Sequence, residues 1–191
     1  MPLVLALMTM TLLTALGGAL VVGTITETAV AANYRAGTAA FYAADAAAEF
    51  AIHELAAAPD WEAVLSGDAA SSFADGPPAG VRSAGGVQVD LAEETADVES
   101  VAGVDSGDAA IYAYGRLADL AGASAVSSPE YVAVWVTGAP AGEADEPRTI
   151  TMVARAYGSN GSRRSVAVSM ERAPAGEPGA PSRVVAWYEL R

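Results

Sequence analysis

Few side chains in this 191-residue chain are placed to do chemistry, and most of them are acidic. There is no cysteine, which excludes disulfides, thiolate nucleophiles and cysteine-held metals. The single histidine, His53, follows Asp45 and Glu49 at spacings of four, so a helix would set all three on one stripe. Acidic Glu/His stripes hold metals when other elements add converging ligands. No such ligands are spaced to join these, and a solvated helix face is the favoured reading. From Asp90 through Glu93, Glu94, Asp97, Glu99 and Asp105 to Asp108 there are seven acids and no base. Hard oxygens suit calcium, with Asp105-Ser106-Gly107-Asp108 the densest spot. The residue spacing of a calcium loop is missing, and a solvated acidic loop is expected. No cofactor and no catalysis are expected. Arg148, Arg155, Arg163, Arg164 and Arg172 form the one basic cluster. On paired strands several would share a face, where phosphate or DNA could bind. Pairing with the chain's own acids competes and is favoured. Nucleic acid is thus an unfavoured partner, with Arg155, Arg163 and Arg164 its only candidate contacts. Asn160-Gly161-Ser162 matches a glycosylation sequon but reads first as a turn, and Trp61, Trp135 and Trp187 read as core or sheet residues.

Charge is unevenly spread. The formal net charge is −13, and residues 1–147 carry 20 acids against three arginines, whereas residues 148–191 carry seven arginines against three acids. An acidic surface argues against a general nucleic-acid binder and favours head-to-tail contact with a copy or partner.

These groups must be positioned by an unusual element. From Leu3 to Val22 there is no charged residue. Twenty such residues make about 30 Å of helix, roughly the thickness of a bilayer's hydrocarbon core. Thr9, Thr11 and Thr14 are tolerable there because a hydroxyl can bond the preceding turn. Ala15, Ala19 and Gly23 recur every four residues, a small-residue stripe along which another helix can approach closely. Gly17 and Gly18 weaken the helix by roughly 1 kcal/mol each relative to alanine. Ala29-Val30-Ala31 has the form of a cleavage site, which keeps a cleaved signal as an alternative, and Glu27 within that region speaks against it.

The helical pattern continues past the apolar run. Between Ile25 and Ala58 there is no proline, one glycine (Gly37) and 15 alanines. Phe41, Ala44, Ala48, Ile52 and Leu55 keep helical spacing and form an apolar stripe, and Pro59 ends it. A helix of about 55 residues, roughly 80 Å, is expected, too long to lie wholly within so small a domain. Four parts follow: residues 1–24 as the membrane part of the helix, 25–58 as its soluble part, 59–86 as a Gly/Pro-rich connection with a short helix at 61–65, and 87–191 as an antiparallel sheet domain. Strand signals fall at 87–91, 110–117, 131–137, 149–157, 164–171 and 183–190, with residues 158–162 as a hairpin turn. Residues 138–147 and 173–181 read as loops. The fold class is α+β, one long N-terminal helix packed by its second half on the sheet.

This architecture resembles a type IV pilin, and the residues resemble one branch of it. Thr26-Glu27-Thr28-Ala29-Val30-Ala31-Ala32-Asn33-Tyr34-Arg35, followed by Ala40-Phe41-Tyr42-Ala43-Ala44-Asp45-Ala46-Ala47, is similar to the N-terminal region of PilX-type minor pilins. There an apolar segment is followed by an acid, an Ala-x-Asn-x-Arg element and an Ala-Phe-x-Ala-Ala-Glu-Ala element. Asp45 replaces the final Glu. The resemblance covers about residues 3–50. It implies assembly contacts through Ala15, Ala19, Gly23, Glu27, Asn33, Arg35, Phe41 and Asp45. It also implies other pilins or pilus-assembly proteins as partners. The implied location is the bacterial inner membrane, with the sheet domain on its periplasmic or extracellular side, or an extracellular filament.

The resemblance also implies a short basic leader ending in glycine; either it lies upstream of Met1 or the chain is trimmed. Major pilins carry a glutamate at the fifth mature position, which pairs with a neighbour's N-terminal amine. No acid precedes Glu27 here, so the resemblance implies a place at the tip or in a priming complex. Two other readings stay open: a surface adhesion module on an anchored helix, and an exported domain behind a cleaved signal.

Overall fold

A computed structural model describes residues 2–84, 86–101, 109–120, 128–138, 148–172 and 182–190. The chain divides into two compact units, Met1–Arg35 and Ala36–Arg191. Helix α1 (Pro2–Ala57) supplies the first unit and opens the second. In the first unit every described residue is solvent-exposed.

The second unit is built on a sheet of five antiparallel strands among the described residues, in the order β3 (Ala110–Arg116), β4 (Tyr131–Gly138), β5 (Arg148–Tyr157), β6 (Arg163–Arg172), β7 (Arg183–Leu190). Sequence neighbours are sheet neighbours throughout, as hairpin connection requires. The β5–β6 turn holds Asn160 at φ 57° and Gly161 at φ 69°, the left-handed region that these two residue types enter at least cost.

The strands alternate, and each face is covered. On one side lie Val132, Val134, Val136, Ile150, Met152, Val166, Val168 and Met170. Against them α1 sets Ala40, Ala43, Ala44, Ala47, Ala48, Ala51 and Leu55, all at most 1% exposed. The expected stripe is thus partly right: Ala44, Ala48 and Leu55 are buried, and Phe41 and Ile52 pack beside them, half-buried. The centre of the contact is nevertheless an all-alanine face, on which a helix comes close to the sheet. Alanine suits both demands, being the best helix former and the smallest apolar side chain.

The end of α1 is fastened by side chains from elsewhere. Trp61, opening α2 (Trp61–Leu65), donates its indole N–H to Leu55 O at 2.8 Å. Arg172 donates to the same carbonyl at 3.0 Å while lying over the Trp61 ring, 4.3 Å from its centroid. Both satisfy carbonyls that a helix C-terminus leaves without partners.

The opposite face carries a layer that the sequence reading did not anticipate. Strands β1 (Val81–Ala84) and β2 (Val87–Asp90) form a hairpin, and helix α3 (Leu91–Val101) follows at once. Val89, Leu91 and Val98 pack on Tyr114, Tyr131, Trp135, Val153 and Tyr157. The acidic stretch is therefore helical over 91–101 rather than a loop, and Asp90 caps it, its Oδ1 accepting from Ala92 N at 3.0 Å. Residues 105–108, the candidate calcium spot, lie outside the described residues, as do 139–147 and 173–181. The connection is also more structured than expected, since Val81–Ala84 is a strand and residues 71–75 run beside β3. Ser71 N donates to Tyr112 O and Tyr114 N to Phe73 O, both at 2.9 Å. That covers the β3 edge. Gly115 makes room for it, since a Cβ there would sit 2.8 Å from the Phe73 ring. At the other edge β7 exposes Val184, Val185, Trp187 and Tyr188, and Val185 is an extra residue opposite the Ser169–Met170 step. Such a bulge bends an edge strand away from further pairing.

Because the contact is made of methyl groups, it has no slack. Ala48→Leu is expected to destabilise the folded chain by about 1–3 kcal/mol through overpacking. Chemical denaturation followed by near-UV circular dichroism measures it, and an unchanged midpoint would show that α1 does not rest on the sheet through this residue.

Candidate assembly helix and the arginine cluster

The described arginines of the C-terminal quarter have partners within the folded unit. Arg155, on β5, is 3% exposed and its Nε donates to Ser165 Oγ at 3.0 Å. Its Nη1 meets Glu94 Oε2 at 2.5 Å and Asp97 Oδ2 at 2.7 Å, both from α3. Tyr157 donates its hydroxyl to the same Glu94 oxygen at 2.7 Å, and the Arg155 guanidinium lies 5.9 Å from the Trp135 ring. Burial works against the Arg155 charge, but the hydrogen bonds and charges of Glu94, Tyr157 and Asp97 outweigh it, so the pKa is raised. Arg163 reaches Glu94 at 3.4 Å and Asp97 at 3.6 Å. Arg164 pairs with Glu189 at 3.7 Å and lies over Gly37, Arg183 with Glu171 at 2.8 Å, and Arg148 with Glu62. Pairing with the chain's own acids is thus what the folded unit contains, and Arg155 is not presented to a nucleic acid. Glu94 and Asp97 escaped the sequence reading as its partners. Some sixty residues of separation leave no periodic signal, and only the alternation of Arg155 with the apolar residues of β5 hinted at a buried cation.

The His53 stripe does not converge on anything. His53 and Glu49 are exposed and Asp45 is half-buried, and no group of metal-ligating side chains occurs among the described residues.

The residues expected to serve assembly fall in two groups. Ala15, Ala19, Gly23, Glu27, Asn33 and Arg35 all lie on the exposed first unit. A Cβ added at Gly17, Gly18 or Gly23 would meet nothing within 4 Å beyond its chain neighbours and the helix's own backbone. Phe41 and Asp45 lie in the second unit, both half-buried; Phe41 packs against the α1 side of the sheet core and meets Tyr42 edge-on at 5.7 Å. The hydroxyls expected to fold back do so: Thr9 donates to Ala6 O, Thr11 to Met8 O and Thr14 to Met10 O, all at 2.9 Å. Thr24, Thr26 and Thr28 repeat the pattern at 2.8–3.0 Å. With its hydroxyls bonded internally, α1 offers an apolar exterior, and its most apolar 18-residue window has a mean hydropathy of 2.1 with none of it buried. By length and composition it can cross a membrane.

Arg155→Met leaves Glu94 and Asp97 with only the exposed Arg163 as a cation and removes the buried charge beside Tyr157. It is expected to cost about 3 kcal/mol, the low end for a broken buried pair because Asp97 is 38% exposed. Urea denaturation measures this, and a loss below about 1 kcal/mol would mean that the cluster is solvated. A second test uses alkali. Burial first, then the carboxylates of Glu54, Asp75 and Glu94, raise the pKa of Tyr112, Tyr131 and Tyr157 respectively above the ordinary value of 10.0. A raised folded-state pKa gives stability that is complete below the unfolded value and is lost as pH climbs past it. Stability should therefore fall as pH rises above about 10, and tyrosinate absorbance from these three should appear only as structure is lost. Full ionisation of all seven tyrosines with native circular dichroism intact would contradict this burial.

No curated protein and no solved structure matches the chain. Residues 1–49 match the family model described as PilX N-terminal. The matched span takes in the apolar run, Glu27, the Asn33 and Arg35 element and Asp45, all within the single helix α1. The match and the apolar helix fit membrane anchoring in bacteria, and they identify the first 49 residues as a PilX-type pilin N-terminal domain.

Proposed function

We propose that the chain is a minor-pilin-like structural subunit of a type IV pilus or related secretion filament. The carrying observation is that the PilX-type match coincides with one unbroken helix that is bare and apolar at its start and alanine-faced at its end. In this reading residues 1–24 hold the subunit in the inner membrane until it is extracted, and 25–58 continue the same helix. Residues 59–86 connect it to the sheet domain of 87–191, whose companion hairpin begins earlier, at Val81. The sheet domain faces the periplasm or the exterior.

Its work is mechanical rather than catalytic. Helices of neighbouring subunits approach along Ala15, Ala19 and Gly23, where small side chains let backbones come close. Glu27 stands at the border of the apolar run, where a carboxylate can meet headgroups or a neighbour's cation, and Asn33 and Arg35 follow as polar contacts. A place at the tip or in a priming complex is the finer form of this reading.

The test is made in the native host. Deleting the gene should abolish or strongly reduce surface filaments, and the wild-type copy should restore them. A copy carrying Ala15→Leu, Ala19→Leu and Gly23→Leu should reach the membrane fraction but fail to restore filaments, because bulk closes the helix stripe. Undiminished filaments after deletion would sink the reading. Full complementation by the triple variant would reject the stripe while leaving the subunit role in place.

A further inference from the structure

An open groove of about 430 Å³ lies where α1 ends, between Ala57–Asp60, α2 and residues 69–72. Glu54 stands in it, half-buried, and is ringed by hydroxyls. Ser71 Oγ donates to Glu54 Oε2, and Ser72 Oγ to Oε1 at 3.4 Å. Tyr112 also lines the groove, near enough to Glu54 for the carboxylate's charge to add to burial in raising its pKa. Its aim is set by a bulge: Ile111 pairs Trp135 and Ala113 pairs Val134, so Tyr112 is the extra residue and turns toward α1.

The chemistry of this groove is one-sided. Ser71 and Ser72 spend their hydroxyl hydrogens on Glu54, so what they turn outward is lone pairs. Ser71 Oγ also accepts from Phe73 N at 3.0 Å, which leaves the exposed Ser72 as the more open acceptor. Asp60 adds a second carboxylate at the exposed rim, one oxygen of which caps α2 through Glu62 N at 2.8 Å. The groove also lies at the negative pole of α1, whose last turn holds no basic residue. Arg172 bonds the carbonyls of Leu55 and Ala56 from the Trp61 side and does not line the groove. Its walls of Ala58, Pro59, Ala63 and Ala69 are small and apolar. An anion is repelled, and no side chain lining the groove carries a positive charge of its own. What fits is a cation on an alkyl stem, which buries its methylenes along apolar walls and keeps its charge on the carboxylate.

We propose that this groove binds a lysine or arginine side chain presented by a peptide segment of a partner protein, with Glu54 taking the charge and the alanine walls taking the stem. This holds whether or not the chain enters a filament.

The full chain in detergent micelles is titrated calorimetrically with the peptides acetyl-Ala-Arg-Ala-amide and acetyl-Ala-Gln-Ala-amide. The arginine peptide should bind saturably and weaken severalfold between about 50 mM and about 300 mM sodium chloride as the charges are screened. The glutamine peptide should bind at least about tenfold less tightly, and Glu54→Gln should weaken the arginine peptide by about tenfold. If Glu54→Gln unfolds the domain, Ala57→Arg serves instead. It sets a cation at the groove's exposed rim, suits a helix C-terminus and should block the peptide without lowering the melting temperature. Equal affinity for the two peptides, no saturable binding, or undiminished binding to a folded variant would overturn the proposal.

Discussion

The rest of the sheet domain depends on the contact between the alanine face of α1 and the sheet. A helix that brings only methyl groups must be met by bulk from the other side. The sheet supplies it in β-branched and long side chains: Val132, Val134 and Val136 on β4, Ile150 and Met152 on β5, Val166, Val168 and Met170 on β6. β-Branched residues also favour the pleated conformation, so the packing demand and the local propensity agree. The division of labour lets each element form for its own reason and then fit the other. Leu55 closes the contact, and Trp61 and Arg172 then satisfy the carbonyl it exposes.

The second layer depends on a different interaction. Helix α3 brings two acids, Glu94 and Asp97, to a cation that β5 has already turned away from α1. Its apolar residues Leu91 and Val98 supply the burial, and Arg155 with Tyr157 fixes which way the helix lies. A buried charge left alone would be very costly, so the unit holds its acidic helix and its basic strands together or not at all. The charge difference between the two ends of the chain is met in part within the unit: Arg148, Arg155 and Arg163 pair with Glu62, Glu94 and Asp97 of the acidic part, while Arg164 and Arg183 pair with acids of the basic part itself.

What could be read from the residues followed from local rules. The helix was legible because alanine, the absence of proline and an unbroken apolar run act over neighbouring residues. The strands β3 to β7 were legible through alternation, and the β5–β6 turn through Gly158-Ser159-Asn160-Gly161. Phe41, Ala44, Ala48, Ile52 and Leu55 gave the right face of the helix. Ala44 and Ala48 lie in the middle of the alanine contact, while the larger Phe41 and Ile52 mark its border. Helix α3 was misread because seven acids suggest solvation, while the two apolar residues that anchor it, Leu91 and Val98, are too sparse to show a period. Gly115 against Phe73 and the bulge at Tyr112 depend on chain segments far apart in sequence, and nothing local announces them.

The same logic explains why the two ends of one helix look so different in composition. Where α1 is bare, its side chains are Leu, Val, Met and back-bonded Thr, which suit an apolar solvent that cannot satisfy polar groups. Where it meets the sheet, large side chains would hold the two elements apart, and alanine takes over. Polar and charged residues are excluded from the first stretch by solvation and from the buried face of the second by packing. They are left to Glu27, Asn33, Arg35 and the outward positions beyond. Under the proposed subunit role, the small-residue stripe at Ala15, Ala19 and Gly23 and the acid just past the apolar run would serve a second apolar surrounding besides the bilayer, the helices of neighbouring subunits.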